Sequence, residues 1–148
     1  MTAEPDHKKL GVDLFNGTWE LMEKTDRTPD EGALMIHMAH ASAYHWLQVG
    51  TPENAARSQW QCSRMYTVLG RSEPAIYHAK LALDICERND IGDWDLAFAY
   101  EALARAYAVA GNSAESGRWL ASAQTASADI ADDEDRDMLL RDLATIPT

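Results

Sequence analysis

The chain has 148 residues, of which 46% are hydrophobic, so it is long enough to form one domain with a buried core. Its formal net charge of −11 disfavours binding to nucleic-acid phosphates or to anionic lipid surfaces. No apolar stretch reaches the roughly 18–20 residues that a membrane span needs, and the first residues lack the apolar segment of a signal peptide. We therefore expect a cytoplasmic protein with no membrane or nucleic-acid partner.

Two helix starts share one capping pattern. Thr28 precedes Pro29, and Glu31 lies three residues after Thr28, which is the spacing of a capping box. The Thr-Pro pair recurs at Thr51 and Pro52. Four glycines are then expected to end successive helices: Gly50, Gly70, Gly92 and Gly111.

These signals predict an all-α fold of about seven helices. We expect a flexible tail at residues 1–9 and one helical domain over residues 10–148. The helices are expected at about residues 10–24, 29–49, 52–69, 72–88, 93–110, 113–129 and from 132 onward. Because they are similar in length and their connections are short, they should pack as antiparallel neighbours. One helical pair for every forty or so residues is typical of a solenoid.

Two segments carry the same pattern, the second 41 residues after the first. The earlier segment contains Gln59, Cys62, Ser63, Tyr66, Gly70, Ala75, Ala79 and Ala82. The later one contains Tyr100, Leu103, Ala104, Tyr107, Gly111, Ser116, Leu120 and Ala123. Both resemble the tetratricopeptide repeat, in which an aromatic residue, a leucine beside a small residue and a tyrosine on one helix pack against small residues on the next. The earlier segment departs from that pattern at its aromatic and leucine positions, and the later one has Ser116 in place of alanine.

The resemblance implies a right-handed α-α superhelix of three hairpins and a final capping helix. It also implies a concave groove, lined by the first helix of each hairpin, that binds peptides or helices. The whole chain is in addition similar to a small uncharacterised bacterial family that contains stretches like AHASAYHW and FAYEALAR. That second similarity implies no activity.

Six residues lie opposite the packing stripe on the third and fifth helices and are therefore candidates for the groove: Arg57, Trp60, Arg64, Phe98, Glu101 and Arg105. Arginine presents a planar fork to carboxylates and aromatic rings supply rigid apolar area, so these residues can hold a carboxylate-bearing ligand. Two simpler interpretations stay open. Glu101 and Arg105 are four residues apart and would pair on a helix surface, and Trp60 would belong to the core.

Our functional hypothesis is a non-enzymatic adaptor or scaffold that binds a peptide, a partner helix or a second copy of itself as a homodimer. The alternative is a small-molecule or metal-dependent enzyme in a helical bundle. It would use His37 and His40, which share a helix face with Tyr44 in a candidate polar cluster. Two imidazoles one turn apart need further ligands to hold a metal, and no catalytic motif is present. We therefore assign no catalytic residue, metal or cofactor.

Overall fold

The computed structural model describes residues 3–148 and contains seven α-helices and no strand within them. The helices are α1 (His7–Glu23), α2 (Pro29–Val49), α3 (Pro52–Val68), α4 (Ser72–Arg88), α5 (Asp93–Val109), α6 (Ser113–Ser127) and α7 (Asp133–Ala144). The predicted all-α class is confirmed. No helix of the described residues is both long and apolar enough to cross a membrane.

Side-chain caps fix where several helices begin. The Thr28 hydroxyl accepts a hydrogen bond from the backbone N–H of Glu31, and the Glu31 carboxylate accepts one from the N–H of Thr28. Thr51 and Asn54 form the same reciprocal box at the start of α3. Both boxes supply hydrogen-bond acceptors to backbone N–H groups that have no partner within the helix, and they therefore define where α2 and α3 begin.

The first helix begins earlier than the sequence suggested. The Asp6 side chain accepts a hydrogen bond from the backbone N–H of Lys9, so α1 starts at His7. Residues 7–9, expected in a flexible tail, are therefore helical, because an aspartate cap outweighs the absence of apolar residues there. Residues 1 and 2 of the expected tail lie outside the described residues.

Two of the predicted glycine stops have left-handed backbone. Gly70 has φ +72° and Gly111 has φ +75°, a conformation in which glycine carries no Cβ penalty. In each case the next residue closes the helix: Arg71 donates to the carbonyl of Tyr66 at 2.9 Å and Asn112 to that of Tyr107 at 3.0 Å. The chain therefore reverses sharply at both points, which places α4 against α3 and α6 against α5.

The helices pack as consecutive hairpins with an inner and an outer layer. The pairs α1–α2, α3–α4 and α5–α6 make the most extensive contacts. The odd-numbered helices also pack in series, from α1 to α3, α5 and α7, whereas the backbones of α2, α4 and α6 do not approach one another within residues 3–148. We call the surface formed by the odd-numbered helices the inner face. The handedness of the stack and its relationship to the tetratricopeptide repeat stay predictions.

Small residues bring the two helices of each hairpin close together. In the second hairpin the Ser63 hydroxyl donates to the carbonyl of Ala75 at 2.8 Å. In the third, the Ser116 hydroxyl on the other helix donates to the carbonyl of Ala104, also at 2.8 Å. All four residues are buried, so the serine that departs from the alanine pattern keeps an equivalent contact from the opposite side.

Three groups of buried apolar residues run along the stack without a gap. The first lies between α1, α2 and α3 and includes one alanine each from α4 and α5. The second lies between α3, α4 and α5, and the third between α5, α6 and α7. Trp60 packs against the second and third groups, and Tyr100 and Trp119 do the same. The core is therefore continuous from α1 to α7, and the inner face rests on it.

Candidate functional site

An open cavity of about 360 Å³ lies on the inner face. Its walls come from all four odd-numbered helices, with one alanine from α4. The apolar side chains that line it are Phe15, Trp19, Trp60, Trp94, Phe98 and Met138, with Ala56, Ala82 and Ala99 between them. The polar side chains are Arg57, Arg64, Asp95 and Asp142. We refer to this space as the inner cavity.

Trp60 stands at the centre of the aromatic wall. Its ring lies 5.5 Å from that of Trp19 and 5.7 Å from that of Phe98, the latter in an edge-to-face arrangement. Phe98 in turn meets Trp94 edge-to-face at 5.9 Å. These centroid distances lie in the favourable range for aromatic pairs. The rings therefore form a rigid apolar wall that needs no ligand to hold it in place.

On one side of the cavity, Arg57 and Asp95 form an ion pair with each other. The Arg57 guanidinium donates to both carboxylate oxygens of Asp95, at 2.9 and 3.0 Å, and lies 4.4 Å from the centre of the Trp94 ring. The hydrogen bond to Asp95 raises the pKa of Arg57 above its usual value. Because Arg57 is engaged by this fork–fork contact and by the ring, it shapes the cavity rather than offering a free cationic group.

Glu101 lies immediately behind the cavity and is completely buried. One of its carboxylate oxygens accepts from Arg105 Nε at 2.7 Å and from Arg64 Nη1 at 3.2 Å. The other accepts from Trp60 Nε1 at 3.2 Å. A buried carboxylate is tolerated only when it is paired and hydrogen-bonded, and here both oxygens have donors. Glu101 therefore fixes the positions of Trp60 and Arg64.

Arg105 links this arrangement to the last helix. Its Nη2 donates to the backbone carbonyl of Asp142 at 2.9 Å and to the Thr145 hydroxyl at 2.8 Å. Glu101 and Arg105 do form the pair expected from their spacing of four residues, but they form it in the interior and not on a helix surface. The simple interpretation of an exposed pair is therefore wrong.

Arg64 and Asp142 keep unused hydrogen-bonding groups at the cavity. Arg64 Nη1 lies 3.8 Å from Asp142 Oδ2, which is too far for a hydrogen bond. Within residues 3–148, Nη1 is the only guanidinium nitrogen of Arg64 that donates a hydrogen bond, and neither carboxylate oxygen of Asp142 accepts one. Burial lowers the pKa of Arg64 although Glu101 opposes that change.

The structure brings together all six residues that the sequence proposed for the groove. Arg57, Trp60, Arg64 and Phe98 line the cavity directly, and Glu101 and Arg105 support it from behind. The interpretation of Trp60 as a core residue is half right, since it is partly buried and packs on two core groups.

Sequence reasoning missed the contributions of α1 and α7 and of the first turn of α5. Phe15 and Trp19 come from α1, Met138 and Asp142 from α7, and Trp94 and Asp95 from the start of α5. A signal for Trp94 was present, because it lies one helical turn before Phe98 and so shares its face. No comparable pattern marked α1 or α7, whose distance from α3 depends on the curvature of the stack.

The three residues of the candidate polar cluster have different neighbours. His37 is exposed. His40 packs between α3 and α4, with its Nε2 2.8 Å from the Tyr66 hydroxyl and its ring 5.2 Å from that of His78. Tyr44 is 56% exposed and packs against His7 and His45. Among residues 3–148, no three histidine, cysteine, aspartate or glutamate side chains are grouped as a metal site requires.

Burial makes the groups around His40 poor at carrying charge. It lowers the pKa of His78 to about 4, with a smaller contribution from His40, and it raises the pKa of the Cys62 thiol to about 12. The pKa of His40 is also lowered, chiefly by burial and then by His37. A thiol that stays protonated is a weak nucleophile, so the group formed by His40, Cys62 and His78 is suited to packing and hydrogen bonding.

The chain was compared with profiles of known protein families, with curated proteins and with solved structures, and no match was found.

The chemistry of the inner cavity therefore has to be inferred from its own residues. Its lining contains no cysteine, histidine, serine or lysine. What it offers a ligand is apolar contact with aromatic rings and hydrogen bonds at Arg64 and Asp142.

Proposed function

We propose that this protein is a non-enzymatic binding module and that a peptide segment places an apolar side chain in the inner cavity. The single observation that carries the proposal is an open cavity with aromatic walls, built mainly by the four odd-numbered helices and supported by the buried Glu101 carboxylate, whose two oxygens both accept hydrogen bonds. A cavity that is preformed in this way loses little conformational freedom when a ligand enters. The proposal keeps the tetratricopeptide-like arrangement suggested by the sequence.

The size of the cavity favours a peptide side chain over a whole helix. At about 360 Å³ it lies near the lower end of ligand-sized pockets. An α-helix with its side chains is about 10 Å or more across, whereas one or two apolar side chains fill such a volume. We therefore favour an extended segment with an aromatic or branched anchor over the other two candidates, a partner helix and a second copy of the chain.

The arginines and carboxylates argue against a purely anionic ligand. Arg57 and Arg105 are already paired with Asp95 and Glu101, and Arg64 shares Glu101, so the positive charge at the cavity is largely neutralised. The carboxylate-bearing ligand suggested by the sequence is thus less favoured than a ligand held mainly by its apolar group. The alternative that uses His37 and His40 gains no support, because His37 is exposed and His40 faces Tyr66, away from the cavity.

The proposal is tested by selecting binders from a displayed library of random peptides and measuring their affinities by calorimetry. Met138 is 49% exposed and lines the cavity, so Met138→Glu places a charge in the cavity without disturbing the core. We expect selected peptides to share an apolar anchor and to lose at least about tenfold in affinity for this variant.

Leu140→Glu is the matched control. Leu140 lies on the same helix with 43% exposure but does not line the cavity. Peptides should bind this variant as they bind the unchanged protein. A library that yields no binder, or binders that lose affinity equally for both variants or for neither, would reject the inner cavity as the binding site.

A further inference from the structure

We infer that the inner cavity recognises the backbone of one extended peptide residue, whose C=O accepts from Arg64 and whose N–H donates to Asp142. This inference rests on the proposed function and adds the polar half of the recognition. It differs from the sequence-based expectation of a carboxylate ligand, because it assigns a neutral donor–acceptor pair to the site.

A donor and an acceptor with unbonded atoms lie side by side at the cavity. Arg64 is 18% exposed and Asp142 29% exposed, and both line the cavity. Their closest atoms are 3.8 Å apart and do not hydrogen-bond, although the charges are opposite. No buried side-chain nitrogen or oxygen among residues 3–148 lacks a hydrogen-bond partner, so the unbonded atoms of Arg64 and Asp142 face solvent, and each can exchange a water molecule for a ligand atom.

The charges of the side chains around Arg64 and Asp142 balance. Arg64 and Arg105 contribute two positive charges, and Glu101 and Asp142 two negative ones, so the group is neutral. A ligand carboxylate would leave one uncompensated negative charge beside aromatic walls, in a chain whose net charge is already −11. A neutral group that both accepts and donates leaves the balance unchanged and satisfies both side chains.

The backbone of one extended peptide residue has the shape that such a donor–acceptor pair requires. In an extended chain, the N–H and C=O of one residue point to the same side, as they do when two antiparallel strands exchange both hydrogen bonds. That arrangement offers an acceptor and a donor to two neighbouring side chains at once. The same residue can direct its own side chain toward the aromatic wall formed by Trp19, Trp60 and Phe98.

The test compares two small probes on the unchanged protein. N-acetyl-phenylalanine-N-methylamide carries both peptide groups of one residue, whereas N-acetyl-phenylalanine has a carboxylate in place of the second. We expect the neutral amide to bind about tenfold more tightly than the acid. The titration is followed by the fluorescence of the cavity tryptophans, which phenyl probes do not obscure, and is confirmed by calorimetry.

Asp142→Asn is the decisive variant, because we expect it to reverse which of the two probes binds more tightly. Removing this carboxylate leaves the group with one positive charge, so the acid should gain and bind at least as well as the amide. Only the backbone carbonyl of Asp142 is bonded to Arg105 and Thr145, so the substitution leaves those contacts in place. Asp137→Asn, an exposed position of the same helix outside the cavity lining, should keep the preference for the amide.

Other results have distinct meanings. Tighter binding of the acid by the unchanged protein, or equal binding of both probes by every variant, would overturn this inference and leave the apolar cavity as a binding site. Equal binding of phenylacetamide and the peptide-like amide would show that any carboxamide suffices, and would overturn the assignment to a peptide backbone. Failure of both probes to bind, together with an unsuccessful peptide selection, would reject the proposed function itself.

Discussion

At the scale of single residues, the most constrained side chain is Glu101. It is buried without any exposure and receives hydrogen bonds from three side chains that belong to α3 and α5. Its replacement would leave two arginines, 18% and 11% exposed, without their shared counter-charge. The unpaired charges, more than the lost attraction, would determine the energetic cost.

Glu101→Gln should therefore lower the free energy of unfolding by about 3 kcal/mol, as measured by urea denaturation. Asp84→Asn is a suitable control, because its partner Arg88 is 65% exposed and Asp84 itself 56% exposed. That surface pair should contribute less than about 0.5 kcal/mol. Similar effects of the two substitutions would show that the Glu101 network does not stabilise the fold.

His78 gives the fold a dependence on pH. Its pKa in the folded protein is about 4, compared with an ordinary value of 6.5, chiefly because the ring is buried. Between these values the unfolded chain binds a proton that the folded protein does not, so stability falls as the pH falls from 6.5 toward 4.

The test is to follow the melting temperature from about pH 7 to about pH 5 for the protein and for His78→Gln. The variant should lose less stability over this interval, since glutamine does not titrate and can still meet Gln59, which now lies 2.7 Å from His78 Nδ1. Carboxylates titrate in both proteins and therefore cancel in the comparison. Parallel curves would contradict the role of His78.

At the scale of helices, two neighbouring helices can approach closely at a residue that has a low helix propensity. Gly11 lies within α1, where glycine is unfavourable, yet the Ser42 hydroxyl donates to its carbonyl at 2.8 Å. A Cβ added at Gly11 would meet the Trp46 ring at 2.9 Å. This glycine therefore allows α2 to pack directly on α1.

Gly11→Ala should destabilise the protein by about 1–3 kcal/mol, because Trp46 has to move. Gly117→Ala, in α6, provides the opposite case. No atom lies within 4 Å of a Cβ built there, so alanine should add about 0.5–1 kcal/mol through helix propensity. Thermal unfolding measures the change in stability of each variant, which should be a decrease for Gly11→Ala and an increase for Gly117→Ala. A stabilising Gly11→Ala would show that α1 and α2 can separate at no cost.

The helices themselves were largely predictable from sequence, since local chemistry decides where they begin and end. The threonine caps and the two left-handed glycines are properties of four or five adjacent residues. The start of α1 was placed three residues too late because Asp6 was not recognised as a cap. At the start of α5, the backbone φ of Asp93 is +52°, and its carboxylate accepts from the backbone N–H groups of Trp94 and of Ala131, which is distant in sequence.

The inner cavity was only partly predictable for a different reason. Helical periodicity identifies which residues share a face, and it grouped Arg57, Trp60 and Arg64 correctly. It does not say which distant helices meet that face. The contribution of Asp142 follows from the hydrogen bonds of Arg105 to α7, and the closed pair of Arg57 with Asp95 spans 38 residues.

At the scale of the whole molecule, stability is distributed along the stack because each hairpin contacts mainly its neighbours. The last group of buried residues depends on Leu139 and Leu143 of α7, which cover α5 and α6. In assemblies of this kind, local opening and global unfolding separate more readily than in a single compact core. The ends of the stack should therefore respond independently to mutation.

Leu139→Ala should reduce the stability by about 2–5 kcal/mol, because Leu139 is completely buried. Hydrogen exchange should show the greatest loss of protection in α5, α6 and α7 and the least in α1 and α2. Leu140→Ala, at a position 43% exposed on the same helix, should leave the pattern unchanged. A uniform loss of protection over all seven helices would mean that the stack unfolds as one unit.

The serine that donates to the facing carbonyl lies on the first helix of the second hairpin and on the second helix of the third. This difference affects how similarity between such hairpins is detected from sequence. Ser63 facing Ala75 and Ala104 facing Ser116 are physically the same junction, with the oxygen contributed from opposite partners. A column-by-column comparison counts two mismatches there, although both junctions keep one buried hydrogen bond from a hydroxyl to a carbonyl. Similarity between the two hairpins is thus better judged from each pair of facing residues together than from single aligned positions.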